Sequence, residues 1–209
     1  MKSKAVVIGA GGHARVIGAS LRSLGVEIAA FVDPVPVAGR QGGTVEMIAE
    51  APVMPGVNAL EAFSTSDHDA FIALGDNAAR KDWHEKLRTA GYNTPALVHA
   101  NSCLSPGVRI GEAACVCIGA TLCAEVIVGT GAIVNTGVIV DHESDIGAFV
   151  HIAPGVAIAG RVRVGEGTFI GMGARVADGL SIGPRSVVGA GSVVLKDVSE
   201  GAKVVGVHH

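Results

Sequence analysis

The sequence predicts two folds in series: an α/β domain of half-Rossmann type (βαβαβ) over residues 1–97, then a parallel β-helix of hexapeptide repeats over residues 98–207. Three observations predict this. An aliphatic residue recurs at every sixth position from Leu104 to Val194 with no insertion. The chain is 49% hydrophobic but only 3% aromatic, as a narrow core lined by Val, Ile and Ala requires. The region ahead of the repeat alternates apolar runs with helical patterns, and its first run ends in Gly9-Ala10-Gly11-Gly12.

The N-terminal elements follow in order. Residues 4–9 (KAVVIG) form a continuous apolar run, the signature of a buried strand. A helical pattern then runs to about Leu24 and stops at Gly25. A second strand, residues 27–32, ends at Asp33-Pro34. Formally, Gly9 to Ala14 reads G-x-G-x-x-A between strand and helix, with an acid some twenty residues on, which is the dinucleotide fingerprint. A complete dinucleotide site needs two such halves, and the repeat leaves room for one, so NAD is not the reading. The turn still offers backbone N–H groups and a helix N-terminus to a phosphate or other polar ligand, with Asp33 at a strand's carboxyl end.

Residues 39–56 are Gly/Pro-rich loop with a short strand at 51–54, and residues 59–63 make a brief helix. Residues 70–75 (AFIALG) are a third buried strand, and a helix capped by Asp76 or Asn77 runs to about Ala90. Trp83 and Leu87, four apart, form its buried face; Lys81, Glu85, Lys86 and Arg88 form its solvated one. Gly91 stops it, and residues 93–98 are the last strand before the repeat.

The repeat runs Leu104, Ile110, Val116, Leu122 and onward in sixes to Val188 and Val194, all Leu, Ile or Val. Four residues after most of these comes something small or β-branched, such as Ala114, Ala132, Ser144 or Thr168. A 3.6-residue helix cannot keep a spacing of six on one face, and abundant Gly and β-branched residues disfavour helix. Short strands that each bury one aliphatic side chain can do so only by stacking in coils. The hexads resemble those of left-handed β-helices, in which three hexads close one triangular coil of about eighteen residues.

Net charge is −3 and the isoelectric point about 6.2, with no basic run, which argues against nucleic acid and anionic membrane as partners. The N-terminal apolar run is too short for a signal peptide or membrane span, so a cytoplasmic location is expected. Cys103, Cys115, Cys117 and Cys123 lack a second pair at zinc spacing and read as small residues flanking inward aliphatics. His208 and His209 read as the start of a tag, without function.

One coil is chemically distinct. Asn135, Asp141, His142 and Glu143 fall within nine residues, and His151 follows nine residues after His142. A hexad needs none of these to fold, so they are the functional candidates. The sequence argues against zinc bound by three histidines, because the repeat carries no third His beyond His99 at its entrance.

With GAGGHA at residues 9–14, GDNxxR at 75–80, NTxxxxDHE at 135–143 and FVHIAPG at 149–155, the whole chain resembles the NeuD/PglD family. Those are acetyl-CoA-dependent acetyltransferases acting on amino sugars, often nucleotide-linked 4-amino-4,6-dideoxysugars of the UDP-bacillosamine or GDP-perosamine type. The resemblance implies His142 as general base, Glu143 orienting its ring and the Gly160 N–H receiving the oxyanion. Asn135 then faces the sugar amine and His151 the acetyl group or the substrate. Gly173, Ala174 and Gly191 become backbone contacts to the coenzyme, with Gly11, Gly12, His13, Asp33, Asn77 and Arg80 on the nucleotide-sugar side. It implies a homotrimer with acetyl-CoA as co-substrate between subunits, and no metal. Two other readings are sialic acid O-acetylation on the same fold and a non-catalytic trimeric nucleotide-binding scaffold. The end departs from the family: Gly206-Val207-His208-His209 stands where members carry G-V-P-A and a short tail.

Overall fold

The computed structural model describes residues 1–34 and 47–209, so the expected loop at 39–56 lies partly outside the described residues. The chain divides into two units, Met1–Pro95 and Ala96–His209.

The first unit contains β1 (Lys4–Ile8), α1 (Gly12–Ser23), β2 (Glu27–Asp33), β3 (Met47–Ile48), β4 (Ala51–Pro55), a 3-10 turn (Val57–Ala62), β5 (His68–Ile72) and α2 (Asn77–Thr89). The sheet order is β3-β4-β2-β1-β5, parallel except for the β3–β4 pair. Ala5 to Ile8 on the central β1 are fully buried, which is why that run is apolar without alternation. Asp76 caps α2, its Oδ1 accepting the Ala79 N–H at 2.8 Å, and Trp83 and Leu87 are buried on its inner face.

Two expectations are corrected. The third strand is His68–Ile72 rather than 70–75, because Asp69 can lie inside it: the buried carboxylate accepts the Lys2 N–H at 2.6 Å and the Asn93 Nδ2–H at 2.7 Å. The last strand, expected over 93–98, is split. Asn93 makes only a bridge to Asp69, while Leu97–Val98 pairs with Cys115–Val116 as the first strand of the coils. Pro95 between them has no N–H for a ladder.

The second unit is a left-handed β-helix of two-residue strands in three parallel sheets. The first face runs from Leu97–Val98 to Lys203–Val204, the second from Cys103–Leu104 to Val207–His208, and the third from Arg109–Ile110 to Ser181–Ile182. Partners stand one eighteen-residue coil apart, as in the column Leu104, Leu122, Val140, Ile158, Val176, Val194. The first residue of each strand points out and the second in, and every inward aliphatic from Val116 to Val194 is at most 3% exposed. Leu104, by contrast, is 39% exposed, because its face begins with its own strand and nothing stacks beneath it. The last coil tightens: Val188 pairs with Val204 and Val194 with His208. His208 pairs with Val194 in the final coil, with its Nε2 3.2 Å from the Asp197 carbonyl.

Candidate active site

In the coils, every sixth residue from Gly107 to Gly191 turns the corner with positive φ. Most are glycine; Glu143, at φ 57°, is not. Holding any residue with a Cβ in the left-handed region costs about 1 kcal/mol or more, so the fold alone favours glycine here. Glu143 spends its carboxylate on its neighbour: Oε2 lies 3.0 Å from His142 Nδ1. A carboxylate only accepts, so Nδ1 carries the proton and the lone pair is at Nε2. The imidazole is 42% exposed, open to a reactant.

The coil below and the coil above build the rest of this corner. Asp141 Oδ1 accepts the His142 backbone N–H at 2.7 Å. That bond, assisted by the Cys123 thiol, holds the Asp141 carboxyl below the usual carboxylate range. The support is present above the ordinary carboxylate pKa and is lost as pH falls through the lowered one. Burial, then the Asp141 carboxylate, pushes the Cys123 thiol up, so it serves as a donor and not as a nucleophile. Ser144, buried, donates to the Ala159 carbonyl at 3.1 Å and accepts the Val162 N–H at 3.1 Å, stitching the corner to the next coil. Directly above His142, eighteen residues on, is Gly160. A Cβ there would lie 2.6 Å from Cε1 and Nε2 of His142, so the ring rests against the glycine and no larger residue fits. No acceptor for the Gly160 N–H occurs among the described residues.

Asn135 and His151 form a second cluster. Asn135 Nδ2 and His151 Nε2 are 3.4 Å apart, and Asn135 Oδ1 accepts the Thr136 N–H at 2.8 Å. Phe169, on the strand next to His151, meets its ring edge-on with centroids 5.3 Å apart. This cluster projects from the first face, whereas His142 and Glu143 turn the corner between the second face and the third. Within one chain the Ile139–Val140 strand of the second face stands between them.

The coenzyme-side expectation needs one correction. The N–H groups of Gly173, Ala174 and Gly191 already donate to Pro154, Gly171 and Met172 carbonyls at 3.0, 3.2 and 2.8 Å, so they are not free amide donors. Gly173 and Gly191 instead leave side-chain-free corners with open space beside them.

In the first unit, the carboxyl ends of parallel β1, β2 and β5 bring Gly11, Gly12 and His13, then Asp33, then Asn77 to one sheet edge. Gly11 has φ −79°, and an added Cβ at Gly11 or Gly12 meets nothing within 4 Å. Neither packing nor backbone geometry demands glycine there, which leaves room for a ligand's approach to the start of α1. Arg80 is different. It is 1% exposed, and its guanidinium donates to the Leu74, Gly75 and Asp76 carbonyls at 3.1 to 3.3 Å and to Asn77 Oδ1 at 2.8 Å. It braces the turn that presents Asn77 and does not itself project from the edge.

Sequence reasoning missed Phe169 and the inward-facing role of Arg80. The coil period was the available signal for the first, since Phe169 is eighteen residues after His151 as Gly160 is after His142. Among the described residues no group of three or more His, Cys, Asp or Glu is arranged to hold a metal ion, and no helix is long and apolar enough to cross a membrane.

Comparison with known proteins agrees with both units. The PglD N-terminal domain family matches residues 4–87, and the bacterial transferase hexapeptide (six repeats) family matches residues 161–196. No curated protein matches the sequence. Among solved structures, PerB from Caulobacter crescentus in complex with CoA and GDP-perosamine is 38% identical, with a TM-score of 0.89 over 97% of this chain and 94% of that one. The acetyltransferase domain of PglB from Neisseria gonorrhoeae in complex with acetyl coenzyme A is 33% identical, with a TM-score of 0.87 over 99% and 97%. WeeI from Acinetobacter baumannii is 25% identical, with a TM-score of 0.86 over 97% of each chain. With an α/β unit ahead of hexapeptide coils, and full-length likeness above 30% identity, the chain belongs to the NeuD/PglD family of sugar acetyltransferases.

Proposed function

We propose that this protein is a cytoplasmic, acetyl-CoA-dependent N-acetyltransferase that acylates the 4-amino group of a nucleotide-linked 4-amino-4,6-dideoxysugar. The observation that carries the reading is the His142–Glu143 pair seated against Gly160, a proton acceptor beside an unused backbone donor. The amine nitrogen attacks the thioester carbonyl carbon, forming the C–N bond while His142 Nε2 takes the amine proton. Glu143 keeps the ring oriented and stabilises the imidazolium. The Gly160 N–H receives the developing oxyanion. On collapse the C–S bond breaks, and the imidazolium returns its proton to the departing thiolate, releasing coenzyme A.

Asn135 would hold the sugar amine and His151 the acetyl group, which requires their cluster to meet the His142 corner. We assign that meeting to a homotrimer, with Asn135 and His151 supplied by the neighbouring subunit. The distribution of exposed apolar side chains supports it. Ile139 and Val207 on the second face, Phe169 and Val187 on the first, and Ile118 and Met172 at the corner between them are all exposed in the single chain. The third face presents Arg109, Asp145, Arg163 and Ser181, with Ile127 half-buried among them. Two apolar faces and one polar face suit a prism packed against two neighbours. The nucleotide would lie at the first unit's sheet edge near Gly11, Gly12, His13, Asp33 and Asn77, and the coenzyme would pass the open corners at Gly173, Ala174 and Gly191.

Thiol release from acetyl-CoA tests this, measured with GDP- and UDP-linked 4-amino-4,6-dideoxysugars beside free sialic acid. Turnover with an amino sugar, and an acetamido group in the product, is the expected result. Turnover confined to sialic acid contradicts the assignment of the amine as nucleophile.

A further inference from the structure

The column of residues above Glu143 contains a cation that the mechanism does not use. In the coil register that pairs Asp145 with Arg163 and Ile139 with Ala157, the residue over Glu143 is Arg161. Its backbone N–H donates to the His142 carbonyl at 2.8 Å, which locks the two corners together. A guanidinium starting there has two carboxylates to choose from: Glu143 one coil below and Asp178 in the coil above. It pairs with Asp178. Both side chains are about half exposed, at 54% and 50%, so as an exposed ion pair it adds little to stability.

From this geometry, and resting on the acetyl-transfer reading, we propose that Asp178 is a positioning residue that draws Arg161 away from Glu143 and keeps that carboxylate for His142. The groups facing His142 and Glu143 from the packed coils are Asp141, with Cys123 beneath it, Glu125 below Glu143, Arg161 above it and Asp178 beyond. Arg161 is the one cation in this set, and Glu143 is the carboxylate one coil below it once Asp178 is neutral. A guanidinium makes bidentate bonds to a carboxylate and competes well with a single imidazole N–H. With Glu143 engaged by Arg161, the His142 ring loses its orienting partner, and the imidazolium loses stabilisation.

The test compares Asp178→Asn, Arg161→Gln and the double variant by kcat, KM and the pH profile of kcat/KM on the amino-sugar substrate at low salt. Asp178→Asn is expected to lower kcat about fivefold at unchanged KM and to move the acid limb of the profile to lower pH. Arg161→Gln should move that limb to higher pH, because a cation near the imidazolium is gone, and leave kcat close to wild type. Adding Arg161→Gln to Asp178→Asn should restore kcat, a rescue that neither a structural role for Asp178 nor its own charge gives. A double variant as slow as Asp178→Asn, or an Asp178→Asn variant with wild-type kcat and profile, overturns the proposal. Wild-type enzyme inactive on every amino sugar would instead defeat the acetyl-transfer reading on which it rests.

Discussion

Replacing His142 with alanine lowers kcat by about 10²–10⁴-fold, the range of general-base catalysis, with KM for both substrates little changed. The side chain is 42% exposed and, among the described residues, its hydrogen-bond partner is Glu143 Oε2, itself exposed, so its removal leaves no buried group there unsatisfied. The corner backbone is held independently: Asp141 caps the His142 N–H, Glu143 N–H donates to the Ala124 carbonyl, and the His142 carbonyl accepts from Arg161. Thermal unfolding of the variant should therefore match wild type. A variant retaining more than half of wild-type kcat removes His142 as the base.

Gly160→Ala is expected to be nearly as damaging although it deletes nothing. The added methyl would fall 2.6 Å from His142 Cε1 and Nε2, well inside van der Waals contact, while the coils above and below hold the backbone. The ring must move, and it is the mobile partner. A displacement of about 1 Å at a reacting nitrogen costs roughly 10²-fold in rate. The swung imidazole also leaves Glu143, and its N–H neighbour at Gly160 no longer faces the same reacting carbonyl. Loss of kcat by about two orders of magnitude with a small change in melting temperature is the expected pairing. Near-normal kcat would mean that the ring does not work from the position it occupies against Gly160.

The β-helix was legible because its rule is one-dimensional. A buried aliphatic every six residues needs no knowledge of tertiary contacts, and Val116 through Val194 obey it. The rule says nothing about its own ends, which is why Leu104 is exposed and the last coil closes short, pairing Val194 with His208. In the first unit, propensity placed β1, α1 and α2, but the boundary of β5 depends on the buried Asp69–Asn93–Lys2 contacts, which join residues far apart in sequence. Site residues divided the same way. His142 and Glu143 stood out as chemistry a hexad does not need. Arg80, by its residue type, reads as a surface cation, and only the folded turn reveals it as a brace. Likewise, the amide donors sought at Gly173, Ala174 and Gly191 are consumed by the coil's own hydrogen bonds, a cost that spacing alone does not display.

Acetyl transfer in this proposal needs one arrangement: a site built from the His142 corner of one subunit and the Asn135–His151 face of the next. Mixing subunits tests it most directly. His142→Ala and Asn135→Ala variants, each nearly inactive alone, are unfolded together, refolded at equal concentration and assayed for acetyl transfer. If neighbouring chains share the site, about one interface in four over all the refolded trimers pairs an intact His142 with an intact Asn135, and activity returns to about a quarter of wild type. If mixed trimers form and stay as inactive as their parents, both residues act from the same chain, and the shared site is wrong.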